Sequence, residues 1–246
     1  MAGTWSARSN VGYTTYQPFA GGSQASAFAA CGGATAVRTS RKWNGTTWSA
    51  GNDTTTARAR CASGDCGTAS NALICGGYTG SNVLSSTEKY NGTAWSTGGA
   101  LATARQLHIL CGNASNALAI SGRTLLWGWI NTNEVYNGSA WSSLSTCGER
   151  GSATGGGNST DAFVCGGDDS GNSYLQSCKI WNGSAWTDQN NLNIGRKEFG
   201  GGGTSAAAIC FGGTTGSISA VTEEFDGTSW AAGGNLNTAR RLVSGG

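Results

Sequence analysis

Short apolar runs of four or five residues alternate along the chain with turns rich in Gly, Ser and Asn, and one arrangement of these pieces recurs. A unit opens on a Trp and passes through a polar, glycine-rich linker to an Arg and a weakly apolar strand. A small turn, an apolar strand ending in Gly-Gly, a variable loop, an aromatic residue and an Asx-Gly pair then lead to the next Trp. In the second unit these parts are Trp48, Arg60, the run from Asn71 to Gly77, the loop from Tyr78, and Tyr90-Asn91-Gly92. Apolar runs this short, bounded by turn signals, predict strands. Asx-Gly between two of them predicts a tight hairpin with positive φ at both central residues. Asn44, Asn91, Asn137, Asn182 and Asp226 are therefore expected in turns. The first four also spell Asn-Gly-Ser/Thr glycosylation acceptors, but their recurrence at one structural position favours turn chemistry.

The repeat Trp residues are Trp48, Trp95, Trp141, Trp186 and Trp230, with Trp5 as a sixth, cut-off copy; their spacings are 43, 47, 46, 45 and 44 residues. A period of this size in a glycine-rich, β-type sequence predicts a β-propeller with four-stranded antiparallel blades. The expected fold is all-β and five-bladed, one domain over 1–246, with repeats at about 5–47, 48–94, 95–140, 141–185 and 186–229 and a closing strand in 230–246. Trp43, Tyr90, Tyr136, Trp181 and Phe225, with the repeat Trp on the following strand, are expected to pack between neighbouring blades. Cys31, Cys75 and Cys165 fall in one column with Ile120 and Phe211, as small hydrophobes.

Composition agrees with this architecture: 42 Gly, one Pro, ten Trp and only 11% charged residues suit short strands and tight turns, not long helices. The net charge of +2, with no run of like charges, supports neither a nucleic-acid footprint nor a polybasic membrane patch. The first ten residues lack an export signal, and the longest apolar run, Leu125 to Ile130, is too short to span a bilayer, so a soluble chain without membrane insertion is expected. Nine Cys without a Cys-x-x-Cys pair make a disulfide framework a weak reading, and a single His, His108, leaves no zinc site; no metal or cofactor is expected.

The aromatic, turn, Trp, Arg and Gly-Gly order resembles the kelch-type β-propeller repeat. The wording TEEFDGTSWAAGGNLNTARR at 222–241 is similar to kelch-like arrays in structural proteins of tailed, especially marine, bacteriophages. The resemblance covers essentially the whole chain and implies the architecture and a virion setting. Two positions depart from the repeat: Tyr16 stands where later units have Arg, and Arg41 and Lys179 stand where others have Glu88, Glu134 and Glu223. The stretch Asn235 to Gly246 adds one more innermost strand. It either completes the first blade in place of the strand around Tyr16, or leaves that slot to the N-terminal segment.

Innermost strands of a propeller line its channel, so Arg60, Arg105, Arg150, Arg196 and Arg240 are candidates for a cationic ring holding an acidic sugar, a phosphate or a carboxylate. The plainer reading, which is favoured, pairs them with Glu88, Glu134 and Glu223 as braces. The most variable segments, 34–40, 78–86, 123–133, 168–177 and 214–221, join the second and third strands and open on one face, the usual design of a binding surface. There Trp127, Trp129, Tyr78, Asp168, Asp169 and Tyr174 are candidate ligand-binding residues, although Leu125 to Trp127 also read as the start of a longer strand. No catalytic set emerges: one His excludes a two-His copper site, sialidase-type boxes are not spelled, and His108 reads as structural. The expected protein is a non-enzymatic virion component, on a tail fibre or the capsid surface, that binds a host-surface glycan or another virion protein. A secreted lectin and a propeller glycosidase are the alternatives.

Overall fold

The structure, a computed structural model, describes residues 4–13 and 15–245. Twenty short strands form five antiparallel sheets, each in simple sequence order from the innermost strand outward. The first blade holds β1 (Phe19–Gly22), β2 (Ala27–Ala30), β3 (Ser40–Trp43) and β4 (Trp48–Ala50). The second holds β5 (Gly67–Thr68), β6 (Asn71–Cys75), β7 (Thr87–Tyr90) and β8 (Trp95–Gly98). The third holds β9 (Ile109–Gly112), β10 (Ala117–Ile120), β11 (Asn133–Tyr136) and β12 (Trp141–Leu144). The fourth holds β13 (Thr154–Gly157), β14 (Ala162–Cys165), β15 (Cys178–Trp181) and β16 (Trp186–Gln189). The fifth holds β17 (Gly200–Gly203), β18 (Ala208–Phe211), β19 (Thr222–Phe225) and β20 (Trp230–Ala232). The chain is thus an all-β, five-bladed β-propeller. Each repeat Trp opens the outermost strand of one blade, so the sequence unit straddles two blades.

The Asx-Gly hairpins are built differently from expectation. Trp43 pairs with Trp48, which leaves a four-residue loop; Gly45 takes the positive φ (91°), while Asn44 Oδ1 accepts the N–H groups of Thr46 and Thr47 at 3.0 and 2.8 Å. Asn91, Asn137, Asn182 and Asp226 repeat this side-chain closure, so only the glycine needs the left-handed region. The flanking aromatics stack mainly within blades. Tyr90–Trp95, Tyr136–Trp141 and Phe225–Trp230 lie 4.9, 4.9 and 5.0 Å apart as cross-strand pairs. Contacts across a blade boundary are Phe28–Trp95 and Phe163–Trp230, at 6.3 and 6.5 Å. Around the axis the inner strands approach so closely that a Cβ on Gly156 would lie 2.6 Å from the Gly203 carbonyl oxygen of the next blade. Cys165 is not a lone thiol. It faces Cys178 across β14 and β15 and forms a disulfide with it, while the other seven cysteines are free and buried.

The conserved-looking arginine column proves to be a set of braces inside blades. Arg105 and Arg196 are fully buried; their Nη2 atoms meet Glu134 at 2.6 Å and Glu223 at 2.8 Å, and their Nη1 atoms donate to carbonyls at Ser121 and Thr132 or Gly212 and Val221. Arg58, not Arg60, makes the same brace in the second blade, with Glu88 at 2.9 Å. Arg150, buried in the fourth, has Gly166 and Ser177 as its hydrogen-bond partners among the described residues, because Lys179 occupies the acid's position. None of Arg105, Arg150 and Arg196 lines a channel: an arginine buried among its own blade's carbonyls presents no charge to the axis.

Ring closure also departs from the reading in which the last strand completes the first blade. That blade has its own innermost strand, β1, and residues 242–245 lie between the first and fifth blades. Gln17, Arg60, Leu107, Ser152, Glu198 and Leu242 all adopt left-handed backbone, with φ of 47°, 48°, 53°, 52°, 59° and 58°. Five N–H···O bonds string them together, from Leu107 to Arg60, Ser152 to Leu107, Glu198 to Ser152, Leu242 to Glu198 and Gln17 to Leu242. A non-glycine residue in this region costs about 1–2 kcal/mol, so the collar persists because the surrounding strands dictate it.

Candidate functional site

The collar forms the floor of a cup of about 290 Å³ at one mouth of the axis, lined also by Arg123, Trp127, Asp168, Asn172 and Lys197. Backbone bridges position its walls. Tyr78, Arg123, Asp168 and Thr214, each the first residue of a variable loop, pair with Ala59, Gln106, Gly151 and Lys197, which immediately precede collar residues. One backbone position is therefore written four times with an aromatic ring, a cation, an acid and a hydroxyl. The scaffold is constant and the chemistry is not, which is what a selectable binding surface requires.

Cations and aromatic rings interleave around this mouth. The Arg60 guanidinium lies 4.5 Å from the Tyr78 ring centre and 4.9 Å from that of Trp127. Arg123 lies 3.9 Å from Trp129 and 5.3 Å from Trp127, and the Lys197 ammonium lies 5.4 Å from Tyr174. Asp168 Oδ2 accepts from both Arg123 and Lys197, at 2.8 and 2.9 Å, while its Oδ1 has no partner among the described residues. Glu198 is matched by Arg241 at 3.3 Å. Among the described residues Arg60 is paired with no acid; its Nη1 reaches Gln106 Oε1, at 3.4 Å. Among the described residues the lining therefore holds three cations against two acids, both acids already engaged, and Arg60 is the cation without an acid.

The structure thus gathers Tyr78, Trp127, Trp129, Asp168 and Tyr174 at one mouth. Residues 124–128 form a tight turn, not a longer strand: Thr124 donates to Gly128 O, Trp127 donates back to Thr124 O, and Trp127 has φ of 61°. Trp127 is 48% exposed there. Asp169 is a turn residue whose Oδ1 accepts from Gly171 and Ser173. Of the five arginines named as channel-lining, only Arg60 reaches the mouth, by being outside the brace register; Arg240 is exposed at the seam between the fifth and first blades. Sequence reasoning missed Arg58. The signal was present, since Arg58, Arg105, Arg196 and Arg240 each stand ten residues after a repeat Trp, whereas Arg60 stands twelve after.

The remaining chemistry lies elsewhere. His108 is fully buried, its Nε2 3.5 Å from Cys75 Sγ, and burial with Arg105 and Arg58 nearby holds its pKa well below the ordinary histidine value. Asp65 lines a separate polar hollow with Asn113 and Asn158, and burial raises its pKa from 3.8 to about 6. Among the described residues, no group of three or more His, Cys, Asp or Glu side chains is placed to hold a metal ion.

No protein-family model matches the chain, and no curated protein matches it significantly. Among solved structures it is similar to one titled "Structure of YjhT", with a TM-score of 0.76 and 11% identity over 96% of this chain and 88% of that one. At this identity the likeness supports the propeller fold and nothing finer.

Proposed function

We propose that this protein is a non-enzymatic recognition module that binds a host-surface glycan at the axial mouth, as a component of a phage virion on a tail fibre or the capsid surface. The observation that carries the reading is the cup itself. Arg60, Arg123 and Lys197 are interleaved with Tyr78, Trp127, Trp129 and Tyr174 over a rigid collar. Aromatic faces suit the apolar faces of sugar rings, and Arg60, with no acid beside it among the described residues, favours a glycan bearing carboxylate or sulfate groups. The virion setting is supported by the resemblance of the whole-chain repeat to kelch-like arrays of phage structural proteins. The non-enzymatic reading is supported by His108 lying inside a blade and by Asp168 being bound to two cations.

The test is binding of labelled protein to a glycan array and to intact marine bacterial cells, beside a variant with Trp127→Ala and Trp129→Ala. Saturable binding lost in the variant supports the proposal. Binding that survives in the variant, or binding only to other virion proteins, would sink it, as would turnover of any bound glycan.

A further inference from the structure

The innermost strands run from the collar to the opposite mouth of the axis, where Gly22, Gly67, Gly112 and Gly157 take positive φ of 121°, 107°, 111° and 96°. A Cβ on any of them would strike a carbonyl of its own hairpin, so no side chain from these positions covers the mouth. It stays open as a hollow of about 490 Å³. The next residues, Ser23, Thr68, Asn113 and Asn158, line it and close their own turns, each side-chain oxygen accepting backbone amides a short step along the chain. With its oxygen committed to the turn, each asparagine holds its Nδ2 away from the turn backbone, and neither Nδ2 has a partner among the described residues.

One carboxylate breaks the pattern. Two residues before the glycine, the first, third and fourth blades carry Ala20, Leu110 and Gly155, and the second carries Asp65. Its backbone is pinned on both sides: the Cys66 amide donates to Ala20 O, and the Gly112 amide donates to Asp65 O. Asp65 Oδ1 accepts the Gly67 amide at 3.1 Å, and a Cβ on that same glycine would lie 3.1 Å from Asn113 Cβ, so acid and asparagine flank one backbone position. Asp65 is the only charged side chain lining the hollow, and no cation pairs with it among the described residues. Burial without a counter-charge raises its pKa from 3.8 to about 6, so at neutral pH this acid weakens the fold. A local cost that brings no structural gain marks a functional position.

The donor and acceptor inventory selects the ligand. An anion is repelled by Asp65. A metal ion would meet a single carboxylate and outward amide N–H groups, which is no coordination set. An ammonium group could only donate, leaving the Asn113 and Asn158 amides unused. A compound with neighbouring hydroxyls uses both kinds of group, since each hydroxyl donates and accepts. We propose that this hollow binds a neutral polyhydroxyl compound, a hexose or a linear hexitol, whose hydroxyls donate to Asp65 and accept from the side-chain amides of Asn113 and Asn158. With no aromatic ring in the lining, the hydroxyl pattern and not a sugar face is what the hollow reads. The site is separate from the axial cup, at the other end of the same strands.

The test titrates the whole chain with D-glucose, D-galactose, D-mannose and D-sorbitol, followed by saturation-transfer NMR and calorimetry. Saturable binding of at least one is expected at about pH 7.5, weakened about tenfold by Asp65→Ala or Asn113→Ser and unchanged by Trp127→Ala. Both variants borrow the first blade's solution: Ala20 stands at the position of Asp65, and Ser23 closes its turn where Asn113 does, so each is expected to fold, which thermal unfolding checks. The titratable side chains facing Asp65 are the buried thiols of Cys66 and Cys111, both with raised pKa values, so the carboxylate alone changes charge on acidification. Wild-type affinity is therefore expected to fall at about pH 4.5, and that of Asp65→Ala to stay level. Absence of saturable binding by all of these compounds overturns the proposal, as does binding indifferent to both substitutions or abolished by Trp127→Ala. Saturable binding of calcium chloride or methylammonium that Asp65→Ala removes, without binding of any sugar or hexitol, overturns the choice of ligand in favour of a cation.

Discussion

Replacing Glu134 by Ala removes one carboxylate and strands three donors at once. Arg105 is fully buried and Glu134 is 3% exposed; the carboxylate closes the guanidinium at 2.6 Å and accepts the Ala102 and Thr103 amides. What remains for Arg105 is the carbonyls of Thr103, Ser121 and Thr132 and the Thr132 hydroxyl. Breaking a buried ion pair by removing one partner costs about 3–5 kcal/mol, because a charge stays buried without compensation. For a chain of this size that corresponds to a fall in unfolding temperature of roughly 6–20 °C. Replacing both partners, Arg105→Met with Glu134→Leu, removes the stranded charge and is expected to cost less than the single change, since well-packed apolar pairs replace such bridges at little loss. The assay is calorimetric and denaturant unfolding of the wild type, both single variants and the double variant, closed as a thermodynamic cycle. A loss below about 1 kcal/mol for Glu134→Ala, or a double variant less stable than either single one, would refute the reasoning.

The fourth blade offers the reverse experiment. Lys179→Glu places an acid opposite Arg150; because Lys179 also pairs with Asp188 at 2.5 Å, the change is made in an Asp188→Ser background, where a gain of about 1–2 kcal/mol in denaturant unfolding is expected, and a loss would show that Arg150 is satisfied by Gly166 and Ser177. Asp65, with its pKa raised by burial from 3.8 to about 6, binds more protons folded than unfolded between those values. Its contribution to stability therefore falls as pH rises from about 4 to 6 and stays lost above. Asp65→Asn is expected to stabilise the protein by about 2 kcal/mol at pH 7.5 and by almost nothing at pH 3.5, and a pH-independent difference would contradict this. Burial pushes the Cys31 and Cys75 thiols up to about 12, and all seven free cysteines are inside. Intact-mass measurement after iodoacetamide treatment should show no adduct on the native protein and seven on the unfolded, unreduced chain; an adduct on the native protein would count against the buried assignment.

The architecture was legible because it is periodic. Six Trp residues 43 to 47 apart, each behind a small turn, announce the blades before any contact is known. The details that escaped are those that spacing in a single direction cannot reveal. Counting back from Gly-Gly selects Arg60, because the second blade carries two extra residues between its bracing arginine and its second strand. Counting forward from Trp48 selects Arg58, and only the packing against Glu88 decides between them. The Asn-Gly pairs look like tight hairpins, yet the Trp43–Trp48 pairing fixes a longer loop in which the Asn side chain supplies the closure. The loop face was legible as variable sequence, which named Trp127, Trp129, Tyr78, Asp168 and Tyr174. That Arg60, Arg123 and Lys197 slot between those rings depends on how far neighbouring blades bring separate loops together, and no local pattern records it.

The measurement that bears most directly on the axial mouth is the equilibrium affinity of wild-type and Arg60→Ala protein for the best-bound acidic glycan of the array, at low and moderate salt. Among the described residues Arg60 hydrogen-bonds Gln106 alone and stacks on Tyr78 and Trp127, so its removal should leave the unfolding temperature nearly unchanged. Binding about tenfold weaker is expected for the variant at low salt, with wild-type affinity that falls as salt rises. Equal affinity of the two proteins, with no dependence on salt, would contradict it and move recognition away from the axis.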